Sequence, residues 1–269
     1  MCAKKNFFNG LRRFGAACSL LAVVTLVGWS SAQADVACGD TITEDTTLTH
    51  DLLNCPGNGI VIGADNITLN CNRHTISGLG PDGGSIGIAL FNRAGVVVKK
   101  CSVERFDFGI VALESVGNKF LLNRVSQNSL GFDVGFDSFD NILAWNKAND
   151  NDSAGFFIVS NASNQLIWNT ASGNTTGFQF ASSSNKIIWN KAIDNLITGF
   201  LFQNSDGNKI TLNKAIGSNE GFILVDDSDN NILLKNKARS GFMDCINTGA
   251  GNIFIKNDFG GTNECPSTP

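Results

Sequence analysis

The sequence is poor in the residues that most metal and thiol sites require. It contains two histidines and two methionines among 269 residues, and its eight cysteines include no C-x-x-C pair. After residue 34 it has no second run of about 18 apolar residues. These absences give no support to zinc or redox motifs, leave a soft metal ion few ligands, and argue against a membrane span in the body of the chain.

Residues 1–34 have the features of a secretory signal peptide. A segment with four Lys or Arg residues precedes an apolar run from Gly15 to Trp29, and Ala32-Gln33-Ala34 forms an A-x-A cleavage site. An uncleaved membrane anchor is the alternative, but the run is short and close to the start. The sequence predicts export to the periplasm or the medium, a single domain at residues 35–269, and no stable membrane insertion after cleavage.

The net charge and the number of cysteines in residues 35–269 indicate which partners to expect and whether disulfides form. Without the four basic residues of the first segment, the formal net charge of −4 becomes −8, so nucleic acid and anionic membranes are not expected partners. Six cysteines remain, and an even number in an exported chain favours disulfides. Proximity in sequence predicts Cys38 with Cys55 and Cys245 with Cys265, which leaves Cys71 with Cys101.

An internal repeat dominates the rest of the chain. A motif N-x-[ILF]-x-x-N recurs with steps of 21 or 23 residues, its second Asn five residues after the first, and a small apolar residue usually follows two positions later. The first Asn of each copy is Asn118, Asn141, Asn164, Asn185, Asn208, Asn231 and Asn252. The second is Asn123, Asn146, Asn169, Asn190, Asn213, Asn236 and Asn257.

A glycine followed by an apolar residue closes each unit. The clear copies are Gly131-Phe132, Gly155-Phe156, Gly177-Phe178, Gly199-Phe200, Gly221-Phe222 and Gly241-Phe242, and degenerate copies precede them. The apolar runs between these Gly and Asn residues are too short for helices but suit strands. We therefore predict an all-β fold, a single-stranded right-handed parallel β-helix of about nine coils.

Stacked coils explain why the same residue types recur. In a solenoid, equivalent residues lie about 4.8 Å apart. A column of buried Asn side chains then satisfies its own hydrogen bonds, and the closing Phe residues form an interior aromatic stack. We expect Asn and Phe ladders, with an N-terminal cap near residues 35–58 and a C-terminal cap near residues 243–269.

The segments NITLNCNRHTISG and GVVVKKCSVERFDFGI, with the repeated units after them, resemble a known group of proteins. They are similar to right-handed parallel β-helix proteins of the pectin-lyase-like superfamily, above all to NosD-type secreted bacterial proteins, over residues 36–265. NosD-type proteins are linked with copper-site maturation, which raises copper as a ligand. With only His50, His74 and Met243 beyond the signal segment, copper is disfavoured, and we predict no cofactor.

Enzymes of this superfamily use clustered carboxylates on the outside of the coil. The candidates here are Glu114, Asp133 and Asp137, with Asp140 nearby and with Arg105 and Arg124 not far away in sequence. Such a cluster would suit glycoside hydrolysis or lyase chemistry. The alternative, which we favour, is that Asp residues at loop tips stabilise turns.

Calcium is the one cofactor that the sequence leaves open. Asp227, Asp229 and Asn231 begin like a D-x-D-x-N calcium loop, but the sixth position lacks Gly and the twelfth is Ala238. Asp150 and Asp152 make a similar partial match. Solvated turns are the favoured interpretation of both segments.

A column beside the second Asn is the best candidate for ligand binding. The preceding residue is Trp145, Trp168 or Trp189 in three consecutive coils, and Lys147 and Lys191 follow the Asn in two of them. Lysines in the same column at positions 235 and 256 suggest that it faces solvent, whereas strict strand alternation from Ile187 would turn Trp189 inward. The sequence alone does not decide between an exposed platform and internal packing.

The sequence thus predicts a secreted β-helix protein that binds a polysaccharide or cell-surface glycan. In one form of this hypothesis the protein also processes the glycan. Flat indoles beside ammonium groups suit sugars that carry carboxylate or sulfate. The alternatives are a polysaccharide lyase or glycoside hydrolase centred near Asp133, and a non-catalytic structural or adhesin-like protein. Binding has more support in the residues than catalysis.

Overall fold

The computed structural model describes residues 35–81, 83–159, 163–261 and 264–265. Over these ranges the chain forms thirty short β-strands and no helix, and therefore no helix with the length and apolarity needed to cross a membrane. The predicted signal peptide, residues 1–34, lies outside the described residues. Its cleavage and the export of the chain stay predictions.

The strands follow one another with short turns. They are β1 (Asp40–Ile42), β2 (Thr46–Thr47), β3 (Leu52–Cys55), β4 (Ile60–Ile62), β5 (Thr68–Asn70), β6 (Thr75–Gly78), β7 (Ile86–Phe91), β8 (Val97–Lys99), β9 (Ser102–Glu104) and β10 (Phe108–Leu113). They continue with β11 (Lys119–Leu121), β12 (Arg124–Ser126), β13 (Leu130–Gly135), β14 (Ile142–Ala144), β15 (Lys147–Asn149), β16 (Ala154–Val159), β17 (Gln165–Ile167), β18 (Thr170–Ser172), β19 (Thr176–Phe180) and β20 (Lys186–Ile188). The last are β21 (Lys191–Ile193), β22 (Thr198–Gln203), β23 (Lys209–Thr211), β24 (Lys214–Ile216), β25 (Glu220–Val225), β26 (Ile232–Leu234), β27 (Lys237–Arg239), β28 (Met243–Asn247), β29 (Ile253–Ile255) and β30 (Asp258–Phe259).

Each strand from β4 to β27 pairs in parallel with the third strand before it and the third strand after it, and the first three and last three strands end the sheets. The result is three ten-stranded sheets: sheet 1 runs from β1 to β28, sheet 2 from β2 to β29 and sheet 3 from β3 to β30. Each coil contributes one strand to each sheet, so the chain makes about nine turns between the first and last strands of a sheet. The predicted all-β, right-handed parallel β-helix is confirmed.

The three-residue strands of sheets 2 and 3 turn their middle side chain into the coil. In β21, Ala192 is fully buried while Lys191 is exposed and Ile193 partly exposed. The small apolar column that the repeat predicts occupies this middle position of sheet 3, as Val125, Ala148, Ala171, Ala192, Ala215 and Ala238, all buried. The first and third residues of each of these strands therefore form the outer surface.

Two Asn ladders were predicted, and both are present. Asn190 shows the pattern: its Nδ2 donates to Asn213 Oδ1 at 3.0 Å, and its Oδ1 accepts from the backbone N–H of Asn169 at 2.9 Å. A third ladder, five residues further along each coil, was not predicted although its spacing is visible in the sequence. Its buried members are Asn128, Asn151, Asn174 and Asn195.

The interior Phe stack is also present but ends one coil earlier than predicted. Phe242 is 72% exposed, and Cys245 lies opposite Phe222 in its place. The carboxylate of Asp244 accepts the N–H of Ser240, which with the bond from Cys245 to Cys265 sets the register of β28. The five stacked rings have centroids 4.7 to 4.8 Å apart and belong to Phe132, Phe156, Phe178, Phe200 and Phe222.

All three predicted disulfides form. They join Cys38 to Cys55, Cys71 to Cys101, and Cys245 to Cys265. The disulfide between Cys71 and Cys101 lies at the start of the second Asn ladder, because the N–H of Cys101 donates to Asn123 Oδ1 at 3.0 Å. Three disulfides are typical of proteins that reside in an oxidising compartment.

Candidate functional site

Each coil passes from sheet 2 to sheet 3 at a residue with a positive φ, which we call the 2–3 corner. In three coils this residue is Trp145, Trp168 or Trp189, with φ of 56°, 59° and 60°. The left-handed conformation interrupts strand alternation, so the indole points outward and the Asn after it points inward. The tryptophans are 55%, 45% and 37% exposed, so the exposed arrangement is the one observed.

The three tryptophans form a strip along the helix axis, here called the tryptophan strip. The rings of Trp168 and Trp189 are parallel within 1°, with centroids 4.9 Å apart, and Trp145 lies at the same position of the preceding coil. The two rings are stacked at about the spacing of successive coils, and both remain partly exposed to solvent. The strip offers a row of flat apolar surfaces with a rise of one coil.

The residue types at the 2–3 corner are unusual for their backbone conformation. Two residues before each sheet 2 strand from β5 to β29, positive φ falls on residues suited to it, although the same turn also has positive φ at Glu114 and Phe136; the suited residues are Asn66, Gly95, Gly117, Asp140, Ser163, Ser184, Gly207, Asn230 and Gly251. At the 2–3 corner it falls on Arg73, Lys100, Leu122, Trp145, Trp168, Trp189, Leu212, Lys235 and Lys256. A bulky residue in this conformation costs about 1–2 kcal/mol, and an exposed side chain regains little of it by packing. Strain of this kind is a reason to look for function.

The lysines beside the strip lie on the same outer surface. Lys147 and Lys191 are the first residues of β15 and β21, are exposed, and have no ion-pair partner in the part of the chain that the structure describes. Each follows the inward-pointing Asn that comes directly after a tryptophan. The tryptophans and these lysines therefore occupy successive outward positions around one corner.

Cations are concentrated on this side of the coil. From residue 119 to residue 239, the outward positions of sheets 2 and 3 and of their corner contain no Asp or Glu. Two of the ten cations there, Lys237 and Arg239, pair with Asp258 at 3.1 and 2.7 Å. The ten are Lys119, Arg124, Lys147, Lys186, Lys191, Lys209, Lys214, Lys235, Lys237 and Arg239.

We call this surface, with the tryptophan strip on it, the cationic face. The acidic residues of the same coils lie mostly on sheet 1 and at its two corners, as Asp133, Asp140, Asp150 and Glu220 illustrate. The formal charge of residues 35–269 is negative, but the local charge of this face is positive. The net charge of the whole domain therefore does not describe the local charge of this face, and it does not count against an anionic glycan as a ligand there.

The predicted acidic residues lie on sheet 1 and at its corner with sheet 2. Asp133 lies in the middle of β13, on the outer side of sheet 1 between Val111 and Phe157 of the neighbouring strands. Burial raises its pKa to about 6. Glu114 and Asp137 follow the ends of β10 and β13, at the corner that leads to sheet 2.

The two arginines considered with this cluster are elsewhere. Arg105 follows β9 at the corner between sheets 3 and 1, and Arg124 begins β12 in sheet 3. Asp140 follows at the entry to sheet 2 with a φ of 56°. Arg124 therefore belongs to the cationic face, and neither arginine accompanies Asp133.

The potential metal ligands are used within the fold. His74 Nδ1 lies 3.0 Å from Asp51, His50 Nδ1 lies 3.2 Å from Asp35, and all six cysteines are in disulfides. In the calcium-like segment, Asp229 Oδ1 accepts the N–H of Ala250. Within the described ranges no group of three or more His, Cys, Asp or Glu side chains is placed to hold a metal ion.

Comparison with known proteins gives one family. Residues 38–197 match the model of a family described as NosD, periplasmic copper-binding protein. No curated protein matches the sequence significantly. The matched residues cover more than half of the chain and include the first coils and the whole tryptophan strip.

Several solved structures share the architecture. DFA-IIIase from Arthrobacter chlorophenolicus A6, solved without its lid, has a TM-score of 0.63 at 11% identity, covering 78% of this chain and 63% of that chain. The periplasmic alginate epimerase AlgG has a TM-score of 0.60 at 14% identity, covering 83% and 73%. Dettilon tailspike protein (gp208) has a TM-score of 0.56 at 13% identity, covering 85% and 58%. The chain thus spans less than two thirds of the first and third proteins, and at these identities the likeness shows the fold alone.

Proposed function

The chain belongs to the NosD family, and we propose that this protein binds an anionic polysaccharide outside the cytoplasm through the tryptophan strip and the cationic face. The observation that carries the proposal is the row of three exposed indoles held at strained backbone positions beside unpaired lysines. Pyranose rings present apolar C–H faces that stack on indoles, and their carboxylate or sulfate groups accept hydrogen bonds from ammonium groups.

The arrangement along the axis suits a polymer better than a single sugar. The rise between equivalent residues of successive coils, seen in the 4.9 Å separation of the Trp168 and Trp189 rings, is similar to the length of one sugar unit. A chain lying along the corner would meet an indole or a cation at every coil. The shared architecture of an alginate epimerase supports the ligand class, because alginate is itself an anionic polysaccharide.

Copper, which the family description names, does not fit the residues present. A copper site draws on clustered His, Met or Cys ligands. Here each histidine contacts an Asp carboxylate, and among the described residues all six cysteines are in disulfides and Met243 is the only methionine. No step of the proposed function involves a metal ion.

Tryptophan fluorescence provides a direct test. Trp29, which lies outside the described residues, is first replaced by Phe so that all emission comes from the strip. The protein is then titrated with alginate, polygalacturonate and a sulfated glycan, and with neutral dextran. Trp168→Ala is compared with Phe136→Ala, a matched control in which another exposed aromatic residue with positive φ is removed from a different corner.

We expect a saturable change in emission with at least one anionic glycan and none with dextran. Trp168→Ala should weaken binding by about 2 kcal/mol, roughly 30-fold, as is typical of a central aromatic contact, and Phe136→Ala should not. Anionic lipid vesicles and single-stranded DNA serve as competing ligands. If either binds more tightly than every glycan, or if the two variants behave alike, the proposal fails.

Asp133 supports a second candidate, hydrolysis or lyase cleavage of the polysaccharide on sheet 1. Its pKa of about 6 would let it hold a proton in mildly acidic solution and donate it to a glycosidic oxygen. Glu114 and Asp137 at the adjacent corner are the available second carboxylates. New reducing or unsaturated ends that appear with the native protein and are lost in Asp133→Asn would support this function. Their absence across the same glycans would favour a binding or purely structural protein.

A further inference from the structure

A cavity of about 380 Å³ opens at the 2–3 corner, one coil before the tryptophan strip. Its size falls within the range of about 300–1,000 Å³ typical of small-molecule clefts. Three of the residues around it are cationic and none is acidic. It is lined by Arg73, Lys100, Cys101, Ser102, Leu122 and Arg124.

The cavity follows from a local change in the repeat. Ser102 and Arg124 are paired first residues of β9 and β12, so a short side chain stands where most of the later coils carry Arg or Lys. Arg73 and Lys100 are corner residues with φ of 73° and 54°. The short serine leaves an opening between these longer side chains, and the three cations surround it.

The polar groups of the cavity are available to a ligand. Arg73, Lys100 and Arg124 make no ion pair, and the Ser102 hydroxyl has no hydrogen-bond partner, among the described residues. Glu104 follows on the same strand as Ser102 but does not line the cavity. Three positive charges and one hydroxyl thus lack a counterpart inside the protein.

The backbone N–H groups around the cavity already donate hydrogen bonds within the protein. The N–H groups of Lys100, Ser102 and Arg124 donate to carbonyl groups of adjoining coils, and the N–H of Cys101 donates to a ladder Asn. A ligand would therefore be held by side chains alone. The disulfide from Cys71 to Cys101 ties the loop of Arg73 to the neighbour of Lys100, which holds two walls together before a ligand binds.

We propose that this cavity binds a tetrahedral oxyanion, the sulfate or phosphate group of a monoesterified sugar. Such an ester group presents three free oxygens, one for each surrounding cation, and two arginines can each donate in a fork to adjacent oxygens. A carboxylate has only two oxygens, both in one plane, and so matches three cations around a cavity less well than a tetrahedral anion. The cavity is larger than the anion, which leaves room for the sugar ring.

The position of the cavity relates it to the polymer site. Leu122, one of its walls, precedes Trp145 in the same corner column. A substituted sugar seated here would set the register of a chain that continues over the tryptophan strip. This role in register rests on the proposed function, whereas binding of the anion alone does not.

Sulfate binding to the purified protein tests the inference. Sodium sulfate is titrated by isothermal calorimetry in chloride buffer of constant ionic strength, followed by inorganic phosphate, glucose 6-sulfate, glucose 6-phosphate and glucuronate. The variants are Lys100→Gln and Arg124→Gln. Arg105→Gln is the matched control, an exposed cation with a φ of 62° at a different corner.

We expect saturable sulfate binding that is about tenfold weaker in Lys100→Gln and Arg124→Gln and unchanged in Arg105→Gln. Glucose 6-sulfate should bind at least as tightly as sulfate, and glucose 6-phosphate at least as tightly as phosphate. Comparison of the two sugar esters identifies which ester the cavity prefers. Glucuronate should bind more weakly than either ester. The inference is overturned if sulfate does not saturate, if Arg105→Gln loses as much affinity, or if glucuronate binds best. Sulfate binding without any glycan-induced change in tryptophan emission would overturn the polymer proposal and leave the anion site intact. A glycan-induced change in emission without sulfate binding would overturn the anion site and leave the polymer proposal intact.

Discussion

Replacing Asn190 by alanine should destabilise the protein more than most single substitutions. The side chain donates to Asn213 Oδ1 at 3.0 Å and to the Leu166 carbonyl at 2.8 Å. It accepts from the N–H and the Nδ2 of Asn169, at 2.9 and 3.0 Å. The substitution removes four hydrogen bonds from a fully buried position.

The cost depends on which partners keep another contact. Asn213 Oδ1 still receives the N–H of residue 190, and Asn169 Nδ2 still donates to Leu143 O. The N–H of Asn169 loses its only acceptor, which costs about 1–3 kcal/mol for a buried donor, and each of the other lost bonds adds about 0.5–1.5 kcal/mol. We expect a loss of about 3–6 kcal/mol in the free energy of unfolding.

The end of the same ladder provides the control. Asn257 accepts from Asn236 and donates to Leu233 O, but it is partly exposed, so water can replace its contacts. Asn257→Ala should cost no more than about 1 kcal/mol. Equilibrium urea unfolding followed by circular dichroism measures both, and amide hydrogen exchange at Asn169 reports the local effect. Equal losses in the two variants, or a loss below 1 kcal/mol at Asn190, would refute the reasoning.

Three further predictions concern the acidic, cationic and aromatic residues. Because burial raises the pKa of Asp133 from 3.8 to about 6, stability should fall by up to about 3 kcal/mol as pH rises from 4 to above 6, and Asp133→Asn should abolish this dependence in pH-series unfolding. Lys147→Gln and Lys191→Gln should each weaken glycan binding up to about fivefold in dilute buffer and hardly at all in 1 M salt, where the screening length is about 3 Å. Phe178→Ala should lower the free energy of unfolding by about 3–5 kcal/mol, since its ring is stacked on both sides, whereas exposed Phe242→Ala should change it by less than about 0.5 kcal/mol.

The fold was predictable because its core repeats one residue type above another. Asn185 and Asn190 are uninformative alone, but the same pair every 21 or 23 residues leaves a stacked coil as the only arrangement that satisfies buried amides. Nearness in sequence was enough to pair Cys38 with Cys55 for a similar reason, since neighbouring coils bring residues about one repeat apart together. The third ladder, as at Asn195, was missed although it follows the same spacing.

The candidate site was only partly predictable. The sequence placed Trp189 and Lys191 in adjacent columns, but whether the indole points in or out depends on the φ of a single residue. Phe242 follows a glycine like the other core phenylalanines, yet the anchoring of Asp244 and Cys245 shifts the register and leaves it in solvent. The oxyanion cavity was not visible at all, because Arg73 and Arg124 lie two coils apart.

By itself, the sequence determined the periodic features of this protein: the coil, its strands, two of its ladders and its disulfides. These depend on residue type and spacing, which a one-dimensional pattern records completely. Only the tertiary structure decided the surface. Left-handed corners turned the tryptophans outward, and the winding of the chain gathered cations scattered over more than a hundred residues onto one face. Such properties depend on which residues of different coils become neighbours, and that is set by the geometry of the stack.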